Sequence, residues 1–332
     1  MVRLATVGTS AITEKFLSAA RKTGRFELVT CYSRTGEKGK AFAKAQGFKG
    51  CCTDITELAK SSDINAVYIA TPNSLHYAQS RLFLENGKHV LCEKPITASA
   101  KEYDALLKLA NEKGVIYAEA IMSRHFKGRK ILFNALSEIG DISAARIDYC
   151  QRSSRYDAFK GGEHMNIFDM SLGAGTLTDL GVYCVYAAVD MFGMPQSVKA
   201  SAAFFDNGAD KSGSAIFEYD GFTAALTYSK AGQSAIGSEI IGDGGAVKIG
   251  SVSQYADISL VKNGKETKLS GFPERDEIMG DEAIKFADYI EKSKEFKADY
   301  NEVSNLTHNV HTCMDLIKQS AEIKYPIKEC IL

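Results

Sequence analysis

Three side chains of this 332-residue sequence have the types and spacing to move a proton: Lys94, Asp179 and Tyr183. Lys94 stands in the tripeptide Glu93-Lys94-Pro95, directly after the short apolar run 89–92. Pro95 constrains this corner, and a cis bond before it would aim Lys94 instead of leaving it loose. A lone lysine at a strand end is usually only solvated. The tripeptide by itself therefore leaves both interpretations open.

Asp179 and Tyr183 are four residues apart and share one face of a predicted helix. Gly181 between them costs about 1 kcal/mol of helix stability relative to alanine, and close approach by a ligand or cofactor would explain that cost. Tyrosine has an unperturbed pKa of about 10, which a neighbouring ammonium lowers. Lys94 can supply this charge, so that Tyr183 exchanges a substrate proton while Asp179 holds a hydroxyl or positions the lysine. The alternative for Tyr183 and Tyr186 is an aromatic core stripe.

The stretch VGTSAIT (residues 7–13) follows the predicted first strand and resembles a phosphate-binding turn. Gly8 permits a tight turn, and the N–H groups of the next helix can face a pyrophosphate. The G-x-G-x-x-G pattern is degraded, because Ser10 and Thr13 replace its second and third glycines. An ordinary strand-to-helix turn is the alternative.

The end of the second strand, Tyr32-Ser33-Arg34-Thr35, carries no carboxylate until Glu37. A free ribose 2′-OH favours Asp or Glu at this place, whereas a 2′-phosphate favours arginine. Arg34 offers a planar fork to phosphate oxygens, and Ser33 can donate its hydroxyl. We therefore expect NADP(H) as the preferred cofactor, with NAD(H) possible. A solvated surface arginine is the alternative.

Strands and helices alternate through the first 120 residues, which predicts a parallel, doubly wound α/β sheet. The predicted strands are 4–7, 26–33, 65–72, 89–92 and 115–120. Asn73 suits the N-cap of the helix after the third strand, and Ser99 with Glu102 forms a capping box for a later helix.

The second half has the pattern of an antiparallel sheet. Asp220-Gly221 and Asn263-Gly264 separate alternating runs and predict type I′ hairpins. Helices are expected near 176–192, 281–292 and 301–320. The predicted fold class is thus an N-terminal Rossmann-type α/β domain, residues 1–120, and a C-terminal α+β domain with an open, mainly antiparallel sheet, residues 121–332.

Composition narrows the class of protein. The chain is 45% hydrophobic and 24% charged with a formal net charge of −1, which indicates a globular protein without a nucleic-acid footprint. No signal peptide fits the start, and no apolar run approaches the roughly 18 residues of a membrane span. The eight cysteines show no CxxC spacing, so we expect reduced thiols, a cytoplasmic location and no metal site. His308 and His311 are interpreted as a solvated helix face.

Three motifs together resemble the Gfo/Idh/MocA (glucose-fructose oxidoreductase-like) family: EKP, EAIM (119–122) and LGAGTLTDLGVYCVYAAVDMFG (172–193). The resemblance implies a Rossmann domain, an open antiparallel sheet, and NAD(P) chemistry on sugars or related polyols. The EKP lysine of the family falls on Lys94, and the aspartate of GGGxLxDxGxH falls on Asp179. Two positions depart from the pattern: Tyr183 replaces its histidine and Ala174 its middle glycine. A tyrosine there is similar to the dimeric dihydrodiol dehydrogenase branch, in which tyrosine is the acid/base residue.

These arguments assign the candidate residues. The catalytic candidates are Lys94, Tyr183 and Asp179. The cofactor candidates are Gly8, Thr9, Ser10, Ala11, Ile12, Ser33, Arg34, Thr71, Pro72, Asn73, His76, Glu93 and Lys94. The substrate candidates are Arg124, Arg155 and His164, and the polar stretch 151–169 adds Arg152, Tyr156 and Asn166, each individually more typical of a surface.

The predicted function is NADP(H)-dependent oxidation or reduction of a sugar, polyol, diol or related carbonyl compound. The alternative is an NADP(H)-binding sensor that has kept the fold and lost turnover. Ser10 and Ala174 slightly favour this alternative, whereas the presence of both Lys94 and Tyr183 argues against it. A homodimer or dimer of dimers is expected through the uncovered face of the antiparallel sheet. Neither nucleic acid nor a membrane is an expected partner.

Overall fold

The computed structural model describes residues 1–325. Within this range the chain forms two compact units. Within the described residues, unit 1 comprises residues 1–122 and 274–305, and unit 2 comprises 123–273 and 306–325. Cys330 and the predicted end of the second domain lie outside the described residues.

The described range contains fourteen strands and eleven α-helices. The strands are β1 Val2–Val7, β2 Phe26–Tyr32, β3 Gly50–Cys52, β4 Ala66–Ile69, β5 His89–Glu93, β6 Tyr117–Ala120, β7 Ile142–Cys150, β8 Ser197–Phe204, β9 Asp210–Glu218, β10 Thr223–Ser229, β11 Ser238–Gly242, β12 Gly245–Ser251, β13 Ala256–Lys262 and β14 Lys265–Lys268. The helices are α1 Ala11–Thr23, α2 Gly36–Gln46, α3 Ile55–Lys60, α4 Asn73–Glu85, α5 Ala100–Lys113, α6 Met122–His125, α7 Lys127–Leu136, α8 Tyr156–Lys160, α9 Val182–Phe192, α10 Arg275–Glu291 and α11 Lys297–Ser320.

Unit 1 contains a parallel six-stranded sheet in the order β3-β2-β1-β4-β5-β6. Its central strands are apolar on both faces, and Leu4, Val67 and Val90 are fully buried. Such runs are typical of a parallel sheet with helices on both sides. The N-terminal Rossmann-type sheet predicted from the sequence is confirmed. The short elements α2, β3 and α3 had not been recognised, because their apolar periods are brief.

Local capping signals define several helices of unit 1. The Ser99 side chain accepts from the Glu102 N–H at 3.3 Å, which confirms the N-terminal half of the capping box. The Glu102 carboxylate accepts from the Ala98 N–H at 2.9 Å rather than from Ser99 itself. Helix α4 begins at Asn73, but Pro72 occupies the N-cap position. The prediction of Asn73 as the cap was therefore displaced by one residue.

The segment 274–305 returns to unit 1, although the sequence analysis placed it in the second domain. Helix α10 buries Ile278 and Phe286 and packs against α1. Arg25 donates to Asp288 at 3.0 Å and pairs with Glu291, which fastens α10 beside the first strands. Periodicity identifies the buried face of a helix but not the sheet that buries it. This return was therefore not predictable from the helix alone.

Unit 2 contains an eight-stranded sheet in the order β14-β13-β12-β11-β7-β10-β9-β8. Six of its seven strand pairs are antiparallel, and β7 and β10 are parallel. The predicted open, mainly antiparallel sheet is confirmed. Asn263 and Gly264 both have positive φ, as a type I′ turn requires. At the other hairpin only Gly221 of the two central residues has positive φ, so its predicted type I′ geometry was wrong.

The long apolar helix of unit 2 begins as a π-helix, Leu177–Gly181, and continues as α9. This confirms the position of the helix predicted near 176–192 but not its regularity. Within residues 1–325, the stretch Met170–Phe192 is the one whose length and mean hydropathy of 1.3 would suit a membrane span. Because 78% of that window is buried, the core helix of a folded unit accounts for the same composition.

Candidate active site

Gly8 makes the turn after β1 tight, as in the first turn of a dinucleotide-binding fold. Gly8 has φ +116°, and a Cβ there would lie 2.4 Å from the carbonyl oxygen of Ala70. Only glycine is compatible with this approach of the two strand ends. Ser10 is the N-cap of α1 but its side chain makes no cap hydrogen bond, so the first-turn N–H groups lack a side-chain cap. Strand order reverses between β1 and β4, which is where open α/β sheets bind dinucleotides.

The remaining residues of this turn lie along the start of α1. Thr9 and Ile12 are half-buried, and Ala11 is exposed. The Ser10 hydroxyl lies 3.2 Å from the hydroxyl of Thr13, a fully buried side chain. The two residues that degrade the glycine pattern thus contact each other and brace the turn.

At the end of β2, Arg34 is exposed whereas Ser33 is buried. The Ser33 N–H donates to the Cys52 carbonyl at 3.1 Å, which ties the strand end to β3. Thr35 is the N-cap of α2. Arg34 therefore lies between a fixed strand end and the N-cap of a helix, a position suited to a phosphate. The predicted 2′-phosphate contact of Arg34 and Ser33 remains a prediction.

The Glu93-Lys94-Pro95 corner lies at the carboxyl end of β5, and the Lys94–Pro95 bond is cis. Buried neighbours hold its backbone. The ring nitrogens of His76 lie 2.8 Å from the Pro95 carbonyl oxygen and 2.9 Å from that of Thr71. The Ile96 N–H donates to the carboxylate of Glu119 at 2.9 Å. Lys94 is half-buried on this rigid turn.

His76 was predicted to bind the cofactor, but its ring is completely buried between two backbone carbonyls. Burial lowers its pKa. The ring connects the turn after β4 to the turn after β5, so the role of His76 in this structure is to stabilise these two turns. In the same turn, Thr71 donates from its hydroxyl to Gln79 at 2.7 Å, while Pro72 and Asn73 are half-buried.

Glu93 belongs to a buried acidic group. It accepts a 2.5 Å hydrogen bond from the hydroxyl of Tyr68. Burial raises the pKa of Glu93, although Tyr68 and Lys94 oppose that shift. Glu282 of α10 is also buried, and burial together with the charge of Glu93 raises its pKa well above the usual range. The returning segment thus contributes a carboxyl group that the sequence analysis missed, since nothing local connects it to β5.

Asp179 lies in the π-helical turn of unit 2, and Tyr183 lies in the first turn of α9. The Tyr183 ring is 7% exposed and packs edge-on against Tyr149 of β7, with centroids 5.6 Å apart. The Asp179 side chain is 43% exposed, and its Oδ2 lies 3.1 Å from Nζ of Lys230. Its lysine partner within unit 2 is therefore Lys230, which the sequence analysis did not consider.

The interpretation of Gly181 needs correction. A Cβ at this position would lie 3.0 Å from Leu177 and 3.1 Å from the ring of Tyr228. The glycine therefore accommodates a buried aromatic ring of β10, and a ligand is not needed to explain it. Sequence alone could not distinguish these causes, because Tyr228 is remote in the chain.

Asp210 fixes the start of this helical segment. Its buried carboxylate accepts from the Leu177 N–H at 2.6 Å and from the Tyr325 hydroxyl at 2.9 Å. Burial raises the pKa of Asp210 in opposition to these bonds. A Cβ on Gly175 would lie 1.9 Å from the same carboxylate, which explains the glycine there. The backbone that carries Asp179 is thus anchored from β9.

The polar stretch 151–169 contains internally paired side chains. Arg152 binds Asp157 at 2.5 Å, and His164 lies 2.9 Å from Asp169. Bonds from Ser171 and His164 lower the pKa of Asp169. The other candidates in this stretch lie as follows: Arg155 is exposed with Nη1 4.0 Å from the Met165 sulfur, Tyr156 packs against Phe168, and Asn166 begins a 3₁₀ turn.

Arg124, the third substrate candidate, is buried in unit 2 and acts electrostatically on Tyr255. A direct substrate contact is therefore less suited to Arg124 than to Arg155 or His164, which are exposed. Within the described range no group of three or more His, Cys, Asp or Glu residues is arranged to hold a metal ion. The seven cysteines that lie in the described range are free thiols.

Fold and site together define an oxidoreductase class with a dinucleotide-binding sheet and a second, mainly antiparallel unit. The Gfo/Idh/MocA profile described as "Oxidoreductase family, NAD-binding Rossmann fold" matches residues 2–121, and that of the Gfo/Idh/MocA C-terminal domain matches 135–248. The chain belongs to the Gfo/Idh/MocA oxidoreductase family, which confirms the resemblance seen in its motifs.

Named relatives share much of the chain. It is 37% identical over 294 residues to the scyllo-inositol 2-dehydrogenase (NADP(+)) of Bacillus subtilis strain 168, covering 89% of this chain and 90% of that protein. It is 31% identical to the trans-1,2-dihydrobenzene-1,2-diol dehydrogenase of Xenopus laevis, covering 73% and 72%. A 3-ketoreductase from Actinomadura kijaniata, solved with NADP and TDP-benzene, has the same fold with a TM-score of 0.80, 21% identity and 96% and 98% coverage.

Proposed function

We propose that this protein is an NADP(H)-dependent oxidoreductase acting on a sugar, polyol, diol or related carbonyl compound, with Tyr183 as the acid/base residue and Lys94 as its electrostatic partner. The observation that carries the proposal is the lysine corner at the carboxyl end of β5, whose backbone is held by His76 and Glu119, in a sheet whose first turn is closed by Gly8. The named relatives support the reaction class, because they are dehydrogenases of hydroxyl groups.

The residues of unit 1 would hold the cofactor. Gly8 and the first-turn N–H groups of α1 suit the pyrophosphate, and Arg34 with Ser33 suits a 2′-phosphate. An NADP(+)-dependent relative agrees with that assignment. When bound, the nicotinamide supplies or accepts the hydride. The role of the protein is to orient it and to provide the proton path.

Tyr183 and Asp179 would act on the substrate hydroxyl. Tyr183 accepts its proton during oxidation and returns it during reduction. The ammonium of Lys94 favours the phenolate form of the tyrosine. Asp179, as a partly exposed carboxylate, accepts a hydrogen bond from a neighbouring substrate hydroxyl and so orients the reacting carbon. A substrate with several adjacent hydroxyls satisfies these requirements.

A turnover assay tests this function. Purified protein would be supplied with NADP⁺ and inositols, aldoses, acyclic polyols and cyclic diols, and with NADPH and the matching ketones. We expect NADP⁺ reduction with at least one cyclic polyol and its reversal by the corresponding ketone. Tight NADPH binding without turnover across the panel would contradict the proposal and support the inactive sensor.

We further propose that the protein self-associates as a homodimer or dimer of dimers. The face of the unit 2 sheet presents Arg146, Ser214, Ile216 and Thr227 as exposed side chains on adjacent strands. An uncovered sheet face commonly becomes a subunit interface. Light scattering at micromolar concentration should give at least twice the mass of one chain, and Ile216→Lys should lower it. A monomeric mass for the parent protein would refute the proposal.

A further inference from the structure

Lys230 is a buried lysine whose ammonium has three distinct neighbours in unit 2. Only 3% of its side chain is exposed. The Nζ atom lies 3.1 Å from Oδ2 of Asp179 and donates to the Ile167 carbonyl at 2.8 Å. It also lies 5.5 Å from the ring centroid of Phe168, within range of a cation–π contact. A buried charge requires such partners, so each fixes the position of the others.

Lys230 also forms hydrogen bonds with both ends of the polar stretch 151–169. Its carbonyl accepts from the Ser153 N–H at 2.9 Å near the beginning, and its ammonium holds Ile167 near the end. Inside the stretch, Phe159 stacks on Phe168 with centroids 4.4 Å apart. The loop is thus closed around a small aromatic core and fastened at Lys230. Its arrangement is coupled to that of Asp179 through one ammonium.

The local charges show why a lysine is needed. The Asp179 side chain is 43% exposed, whereas its cationic partner Lys230 is buried. Solvent or a ligand can therefore reach the carboxylate of this ion pair, which accepts hydrogen bonds. Asp210 of β9 is a second carboxylate near Lys230, and the Tyr325 hydroxyl donates to Asp210. Removal of the ammonium would take away a positive charge that acts on both carboxylates. An apolar side chain of equal length would fill the space but would not orient Asp179.

We infer that Lys230 is a positioning residue for the proposed reaction, which holds Asp179 and the loop 151–169 in the single arrangement that accepts a polyhydroxylated substrate. The inference rests on the proposed function for its substrate and on unit 2 alone for its geometry. Lys230 acts through Asp179 and the loop, and it exchanges no proton with substrate.

Kinetics of Lys230→Met and Lys230→Arg test this role. For a polyol that the parent protein oxidises, Lys230→Met should lower kcat/KM by about 10–100-fold, mainly by raising KM, as expected when one charge-assisted contact is lost. The Kd for NADPH should stay within twofold. Lys230→Arg should recover part of the loss, because a guanidinium can donate to both oxygens. A Lys230→Met value of kcat/KM within twofold of the parent would overturn the inference.

Lys88→Met is a matched control. Lys88 is another buried lysine that donates to two backbone carbonyls, those of Ser61 and Ile64, within unit 1. Its replacement should lower Tm while kcat/KM remains within twofold. An equal loss of kcat/KM in Lys88→Met and Lys230→Met would show that both effects arise from general destabilisation, and would refute the positioning role.

A thermal double-mutant cycle gives a readout that needs no substrate. Lys230→Met should lower Tm by about 5–10 °C, because it leaves a carboxylate without its buried partner. The same change should lower Tm clearly less when Asp179→Asn is already present. Additive Tm changes would overturn the inference even for an active enzyme. Absence of turnover in the parent protein would instead refute the proposed function, and with it the substrate role of Lys230.

Discussion

Each unit places a lysine directly after a strand that belongs to a parallel pair, but the two lysines are held in opposite ways. Lys94 follows β5, and its neighbours fasten the backbone of the turn while the side chain is only half-buried. Lys230 follows β10, and there the ammonium itself is fastened and buried. The charge of Lys94 is therefore partly accessible to solvent. The charge of Lys230 instead lies in the packed interior of unit 2, where it stabilises the local structure.

Both sheets also use the geometry of parallel strands. Tyr149 of β7 pairs with Tyr228 of β10 in a parallel register, so the two strands end at the same edge. That edge brings together Tyr149, which packs on Tyr183, and Lys230, which binds Asp179. In an antiparallel pair the corresponding ends would point to opposite edges. In unit 2, the carboxyl ends of β7 and β10 thus lie side by side at one edge of the sheet. In the Rossmann sheet, where all strands are parallel, every carboxyl end lies at the same edge.

The largest expected effect is a loss of kcat, which should distinguish Lys94 from Lys230. Lys94→Met and Tyr183→Phe should each lower kcat by about 10²–10⁴, because each removes a positioned group for proton transfer. Because the two groups serve one proton transfer, the double variant should be little slower than the slower single variant. NADPH affinity should change little, as in Lys230→Met, and Tm should also change little, in contrast to Lys230→Met. Single-turnover kinetics with a suitable substrate measures this, and a Tyr183→Phe rate within twofold of the parent would leave Tyr183 as a packing residue only.

A second contrast concerns two histidines: His89 of unit 1 is half-buried, whereas His164 of unit 2 is exposed. His311 of unit 2 is buried, so its interpretation as part of a solvated helix face was wrong. Burial lowers the pKa of His89 to about 4, below the value of about 6.5 in an unfolded chain. Between these values the unfolded state binds a proton that the folded state does not, so the free energy of unfolding falls as pH decreases from about 6.5 to about 4. The loss is up to about 3 kcal/mol.

Denaturant unfolding of the parent and of His89→Gln across this pH range measures the effect. The variant should lose less stability on acidification, because its side chain does not titrate while its carbonyl can still accept from the Ile116 N–H. Identical pH slopes for the parent and His89→Gln would contradict the assignment.

The smallest expected effect concerns the cofactor. NADPH should bind more tightly than NADH by about tenfold or more, and Arg34→Ala should remove most of this gap, since a charge-assisted contact contributes roughly 1.5–3 kcal/mol. Arg81→Ala is a control, because Arg81 is an exposed arginine on α4 paired with Glu85. Fluorescence titration with both cofactors gives the affinities. Equal affinities in the parent protein would refute a 2′-phosphate contact.

Local signals determined the features of this protein that depend on neighbouring residues. Alternation of strands and helices predicted the parallel sheet, and the apolar run before Glu93 predicted a lysine corner at a strand end. The Asn263-Gly264 turn and the Ser99 cap were predicted for the same reason. In each case the signal that allowed the prediction lies within a few residues along the chain: an apolar period, a capping residue or a turn dipeptide.

Tertiary structure decided the features that depend on distant pairings. The parallel register of β7 and β10 places Lys230 beside Asp179, and the packing of α10 on α1 brings Glu282 into unit 1. Gly181 likewise has its explanation in the ring of Tyr228. Neither a strand-end lysine nor an amphipathic helix specifies its partner, because many partners satisfy the same charge or apolar face. Only the folded chain selects one of them.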